Sequence, residues 1–206
     1  MKNIIQNIRR LFFDNSCTCC GEKASDNLIY LCYNCLDKIV RQKSLNKVGD
    51  TYYIWPYKGE FRKLLLEYKN NSRLALGKII SSLIEEEIFK VVYEEDIDYI
   101  VPIPINFRRE QIRGFNQVEE ILKNLNYSFL KTNRVKNTKK MFKILDKEKR
   151  ENNIKNSFKV DKEFKAKNIL IFDDIITTGA TIEEFKRELI KNGEVNKIVV
   201  FSLSAS

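Results

Sequence analysis

Three short patterns in this chain carry residues able to do chemistry, and histidine is in none of them, because the chain has none. Its absence removes Ser-His-Asp and Cys-His nucleophiles, HExxH zinc helices and mixed Cys/His metal sites. Any acid–base work falls to carboxylates, Lys, Tyr or the substrate itself. The five cysteines stand at 17, 19, 20, 32 and 35. Cys17-Thr18-Cys19-Cys20-Gly21 and Cys32-Tyr33-Asn34-Cys35 form two CxxC turns, separated by eleven residues. Two such turns supply four thiolates to one tetrahedral ion, so Cys17, Cys20, Cys32 and Cys35 are read as ligands of a structural Zn²⁺. Disulfides or a redox CxxC are the competing readings; disulfides suit a cytoplasmic chain poorly, and a redox motif has no need of two pairs. Cys19 is left over, and an exchange of ligand roles between Cys17 and Cys19 stays open.

The second pattern is Asn168–Thr181, NILIFDDIITTGAT. Ile169-Leu170-Ile171-Phe172 is a continuous apolar run of the kind found in a strand buried on both faces. Asp173 and Asp174 follow at its C-terminal end, then Thr177-Thr178-Gly179-Ala180-Thr181 leads into a helix with Ile182, Phe185, Leu189 and Ile190 turned inward. Ligands of open α/β sheets bind outside the carboxyl ends of the strands. Gly179 permits close backbone approach. The helix N-terminus and the three threonine hydroxyls make an anion cradle. Two adjacent carboxylates repel phosphate, so they make sense only if a group rich in hydroxyls, such as ribose, lies between them and the anion. The competing reading is an Asp/Thr-rich capping loop without a ligand.

The third pattern is Asp98–Asn124. Tyr99–Ile103 reads as a short strand ended by Pro102 and Pro104, followed by Ile105, then Arg108, Arg109 and Arg113. Guanidinium forks just past a strand end match the paired oxygens of a diphosphate, although any one of these arginines taken alone reads as part of a solvated turn.

The elements that position these groups follow from periodicity. A leading amphipathic helix carries Ile4, Ile5, Ile8, Leu11 and Phe12, and the cysteine ribbon spans about 15–40. A linker with Gly49 and Asp50 precedes a strand at Thr51–Trp55. Helices are expected at about 59–69 and 73–90, the second with a packing stripe of Leu74, Leu76, Ile79, Ile80, Leu83 and Ile84. Strands at 98–103, near 127–131, at 168–173 and at 196–203 alternate with helices. An amphipathic helix with Val118, Ile121, Leu122 and Leu125 follows Gly114. This alternation predicts an α/β fold with a mostly parallel sheet flanked by helices, carrying a small N-terminal zinc ribbon. Residues 1–45 form the leading helix and ribbon, and 50–206 the main domain. Glu85–Glu87 and Glu94-Glu95 read as solvated faces.

The chain has 206 residues and a net charge of +9. Residues 131–167 alone carry 14 basic and 5 acidic side chains. So concentrated an excess is the footprint of a polyanion or, equally, a solvated loop. Phe129, Phe142 and Phe158 lie in or near this stretch, as bases for nucleic-acid stacking or, more commonly, as core. No run is long and apolar enough to span a membrane, and the N-terminus lacks the h-region of a secretory signal, so a cytoplasmic location is expected.

The run DDIITTGAT resembles the phosphoribosyl pyrophosphate (PRPP) motif of type I phosphoribosyltransferases. Together with VPIP…RRxxxRGFNQ, the CxxCG…CxxC ribbon, Tyr57-Lys58-Gly59 and Arg150…Asn153…Phe158, it resembles the ComF family over nearly the whole chain. The resemblance implies that Asp173 and Asp174 take the ribose hydroxyls and that Thr177, Thr178, Gly179, Ala180 and Thr181 take the 5′-phosphate. Pro104, Ile105, Arg108, Arg109 and Arg113 stand at the pyrophosphate loop, Mg²⁺ accompanies PRPP, and 131–157 takes the place of a hood. It further implies a part in natural transformation, with single-stranded DNA and other competence proteins at the inner membrane as partners. The alternative on the same fold is a non-catalytic single-stranded-DNA-binding or nucleotide-sensing factor. The chain departs from the family in lacking a Gln in the run around Arg134, Thr138, Arg150 and Asn153, and in having Thr18-Cys19 where Pro is usual in the first turn. No acceptor nucleophile or general base is evident, so the motifs support PRPP binding much better than they support turnover.

Overall fold

The structure is a computed structural model that describes residues 16–71, 73–136, 154–160 and 164–206. The leading helix expected before residue 16 lies outside the described residues. So do Phe142, Arg150, Asn153 and the larger part of the basic stretch.

Five strands form the main sheet: β1 (Asn46–Val48), β2 (Thr51–Pro56), β3 (Tyr99–Pro102), β6 (Phe164–Ile176) and β7 (Gly193–Ala205), in the order β1-β2-β7-β6-β3. The β2–β7, β7–β6 and β6–β3 pairs are parallel, and β1 alone is antiparallel. A two-stranded antiparallel pair, β4 (Asn133–Arg134) with β5 (Phe158–Lys159), stands apart. The helices are α1 (Tyr33–Arg41), α2 (Gly59–Asn70), α3 (Leu74–Glu94), α4 (Phe107–Arg113), α5 (Gln117–Asn124) and α6 (Ala180–Lys191).

The apolar runs in the strands are explained by burial on both faces. Alternate residues of β6 enter two separate cores: Leu170 and Phe172 pack with Trp55, Leu64, Ile84 and Ile121 beneath α2, α3 and α5. Ile169 and Ile171 pack with Val101, Phe158 and Phe185 beneath α6. β7 repeats the division, with Phe201 in the first core and Val200 in the second. The ribbon shares the first core through Cys17, Cys19, Leu31, Cys35 and Ile39. Trp55 is fully buried, stacks on Phe61 at 4.0 Å and donates its indole N–H to the Ile39 carbonyl at 2.9 Å.

Several expectations are corrected. Residues 127–131 form no strand; the Leu130 N–H donates to the Ile100 carbonyl of β3. The linker at Gly49-Asp50 is instead the turn of a β1–β2 hairpin. The strand expected to stop at Asp173 continues to Ile176, because Ile175 and Ile176 remain paired with Ser204 and Ala205 of β7. Leu74 and Ile190 are exposed, whereas Leu76, Ile80 and Ile84 of the stripe are buried. Glu95 is no solvated residue: it accepts from Tyr52, Lys47 and Lys197, and these bonds hold its carboxyl down at about 2. Phe158 is 4% exposed and meets the Phe185 ring edge-on at 4.9 Å, so it belongs to the core and offers no face to a base. Phe129 is partly buried against the first core.

Candidate functional site

β3 leaves the sheet before β6 does. Pro102 pairs with Phe172 as the last β3 residue, and the Ile103 N–H donates to the Phe172 carbonyl at 2.9 Å. Asp173 and Asp174 are the next two residues of β6, so they stand beyond the end of the neighbouring strand. Within an extended strand successive side chains point to opposite faces, and the surroundings of the two acids differ accordingly. Asp174 is buried on the α2/α5 side, 2.7 Å from Lys69 Nζ and hydrogen-bonded by Gln117 Nε2. Asp173 is partly buried, accepts from the Asp174 N–H at 2.8 Å, and feels Arg134 at the end of β4. Burial, reinforced by the adjacent Asp174 carboxylate, pushes Asp173 up to about 7.

The arginines arrive on α4, a helix the sequence reading missed because its seven residues include none that is buried. Asn106 caps it by accepting from the Arg108 N–H. Pro104 is buried and Ile105 partly buried, both between β3 and this helix. Burial pulls the Arg109 and Arg113 guanidinium groups below their ordinary range, and the Asp174 carboxylate opposes it. Arg113 Nη1 also donates to Gln117 Oε1. Arg134 is pulled down to about 10 by burial and by Arg109, against Asp173. Arg108 is exposed, and the structure does not bring it to the carboxylates.

β6 runs directly into the threonine loop. Thr177 and Thr178 are exposed, and Gly179, Ala180 and Thr181 partly buried. Gly179 caps α6 with φ +73° and has open space where a Cβ would stand. Glycine is therefore required here for the left-handed backbone, not for room. The N–H groups of the first turn of α6 have no intrahelical acceptor. The arrangement is thus a carboxylate pair in which Asp174 faces Lys69, Arg109 and Arg113, and Asp173 faces Arg134, which lies over the Phe158 ring in the core beneath α6.

Lys69, Gln117 and Tyr68 escaped the sequence reading. Gln117 lies inside RGFNQ, but nothing local marks Lys69. It is placed by Tyr68, whose ring crosses Gly77 of α3 so closely that a Cβ there would lie 2.9 Å from it. The Tyr68 hydroxyl donates to the Gln117 carbonyl at 2.9 Å.

In the ribbon, the sulfurs of Cys17, Cys20, Cys32 and Cys35 all lie within 4.8 Å of one another, with Cys20 and Cys32 3.8 Å apart. A tetrahedral ion with metal–sulfur bonds of about 2.3 Å requires sulfurs about 3.8 Å apart, so the four thiols fit a structural metal ion. Cys32 caps α1 by accepting from the Cys35 N–H at 3.5 Å. Cys19 is outside the cluster: its thiol donates to the Glu60 carbonyl at 3.4 Å, and burial pushes it up to about 11. The ambiguity between Cys17 and Cys19 is thereby resolved in favour of Cys17.

No family model matches the chain. It is 26% identical over 186 residues to the DNA utilization protein YhgH of Escherichia coli (strain K12), covering 86% of this chain and 78% of that protein. It is 27% identical over 202 residues to Competence protein F of Haemophilus influenzae (strain Rd), covering 90% and 83%. It is 30% identical over 161 residues to Competence protein ComFC of Streptococcus pneumoniae (strain R6), covering 73% and 66%.

Proposed function

The chain belongs to the ComF family, and from that premise we propose that it is a cytoplasmic PRPP-binding protein of phosphoribosyltransferase type acting in DNA uptake. The observation that carries the reading is the charged cluster at the carboxyl end of β6. There Lys69 pairs with Asp174, Arg109 and Arg113 feel the Asp174 carboxylate, and Arg134 feels Asp173. Arg109 and Arg113, with the Pro104-Ile105 backbone, take the diphosphate. The Asp pair takes ribose hydroxyls, and residues 177–181 take the 5′-phosphate at the α6 N-terminus.

Among the described residues, the four cysteines are the only group of three or more side chains placed to hold a metal. They suit Zn²⁺, an ion at home with thiolates, in a closed structural role. Mg²⁺ fits instead as a companion of the ligand, held by diphosphate and ribose oxygens and water, and it neutralises diphosphate charge. The chain's own part in glycosyl transfer is positioning and stabilisation of departing pyrophosphate by the arginines. The names of the relatives support the DNA-uptake role, which brings single-stranded DNA and other competence proteins at the inner membrane as partners.

Calorimetric titration with PRPP·Mg²⁺ tests the reading. Saturable binding is expected, and its loss in the double variant Asp173→Ala/Asp174→Ala. No binding to the zinc-loaded wild-type protein overturns it. A pyrophosphate-release screen over acceptors then separates an enzyme from a non-catalytic sensor: release marks turnover, and binding without release marks sensing.

A further inference from the structure

Asp174 is not a free acceptor waiting in a cleft. Its Oδ2 lies 2.7 Å from Lys69 Nζ and also accepts from Gln117 Nε2. Gln117 Oε1 accepts from Arg113, and its backbone carbonyl accepts from Tyr68. The Lys69 and Asp174 side chains are 15% and 8% exposed. One continuous chain of contacts therefore joins α2, α4, α5 and β6.

We propose that Lys69 is the resident counter-ion of the Asp173–Asp174 pair and, with Gln117, the positioning residue that aims Asp174 at the ligand. This rests on the PRPP reading above. Two consecutive carboxylates, one buried and one partly buried, repel one another, and a close cation lowers the pH at which one of them takes up a proton. A protonated carboxyl has less capacity to accept from sugar hydroxyls. The charged and titratable groups facing Asp174 are Lys69 and Tyr68 from α2, Tyr57 just past β2, Arg109 and Arg113 from α4, and Asp173 beside it, which itself faces Arg134 of β4. Of the cations, Arg109 and Arg113 are on the side assigned to the diphosphate. Lys69 approaches from α2 and remains with the carboxylate whether or not a diphosphate engages them. Gln117 spans the two sets, so it sets the distance between the arginine side and the carboxylate side.

The test uses Lys69→Met and Lys69→Arg in the full, zinc-loaded chain. In PRPP·Mg²⁺ titrations from pH 5.5 to 9, Lys69→Met is expected to move the acid limb of binding upward by about one pH unit. Affinity then falls about fivefold near pH 7 and recovers towards the wild-type value at pH 9. Lys69→Arg restores the limb. A merely structural loss lowers affinity equally at every pH, and that result overturns the proposal. Urea unfolding without ligand is the second arm: the deficit of Lys69→Met against wild type must widen as pH rises from 5.5 to 8.5, and a constant deficit overturns the counter-ion role. This arm decides the point even if the wild-type protein ignores PRPP, an outcome that refutes only the ligand assignment. Lys69→Gln, a donor without charge, gives the same two shifts if Lys69→Met is too unstable to purify.

Discussion

Replacing Asp173 by Asn should make the ligand-free protein more stable while abolishing PRPP binding. Burial and the Asp174 carboxylate raise Asp173 from 3.8 in the unfolded chain to about 7 in the native one. Between these values the native state binds more protons than the unfolded state, so stability falls as pH rises through that window and stays low above it. A shift of about three pH units corresponds to about 4 kcal/mol as a ceiling. Relaxation and water entry around a partly buried group reduce this to about 2 kcal/mol. Asn keeps the shape and the carbonyl that accepts the Asp174 N–H at 2.8 Å, but carries no charge. The variant should gain about 2 kcal/mol at pH 8, or about 4–8 °C in Tm for a chain of this size. The gain should shrink by about half at pH 5, where native Asp173 is protonated in the wild type. Urea melts of both proteins in phosphate-free buffer measure it. A variant no more stable than wild type at pH 8, or a gain equal at the two pH values, refutes the argument that this carboxylate is held at a cost in stability.

The cysteine cluster makes a sharp contrast: Cys17→Ser should lose bound zinc, and Cys19→Ser should keep one ion per chain by elemental analysis, because only Cys17 lies in the cluster. Stripping the metal should also weaken PRPP binding, since the ribbon grips the start of α2 through the Cys19 thiol on the Glu60 carbonyl and Lys63 on the Cys19 carbonyl, while Lys69 sits near the other end; calorimetry on chelator-treated protein reads this. Phe158→Ala should cost about 3–4 kcal/mol of unfolding free energy, with single-stranded DNA affinity changed no more than stability requires, because the ring is in the core. Gly179→Ala should destabilise by about 1 kcal/mol, from a Cβ forced to φ +73°, and should lower PRPP affinity; unaltered stability would show that the loop relaxes.

The parts of this fold legible in the sequence are those where one physical demand dominates. Ile169–Phe172 reads as a buried strand because both of its faces are covered. The paired CxxC turns read as a metal site because four sulfurs have few other uses at that spacing. The failures have equally local causes. Asn46–Val48 shows no apolar alternation, since its place in the sheet comes from pairing with Tyr53, Tyr52 and Thr51 across the hairpin. Tyr127 and Phe129 have strand-forming side chains, yet they pack as partly buried residues against the first core. Phe107–Arg113 buries nothing, so it leaves no periodic trace. At the site, the carboxylates, threonines and arginines were visible as types. Lys69 was not, because its partner lies on a strand about a hundred residues later, and only packing of α2 against α3 and α5 reveals the pair.

The small β4–β5 ladder fixes both ends of the basic excursion at one spot: the Val135 N–H donates to the Ser157 carbonyl, and the Asn156 N–H is anchored on Glu184 of α6 at 2.7 Å. Arg134 therefore owes its place to this ladder and to α6, so a substitution that breaks the Asn156–Glu184 bond is felt at Asp173.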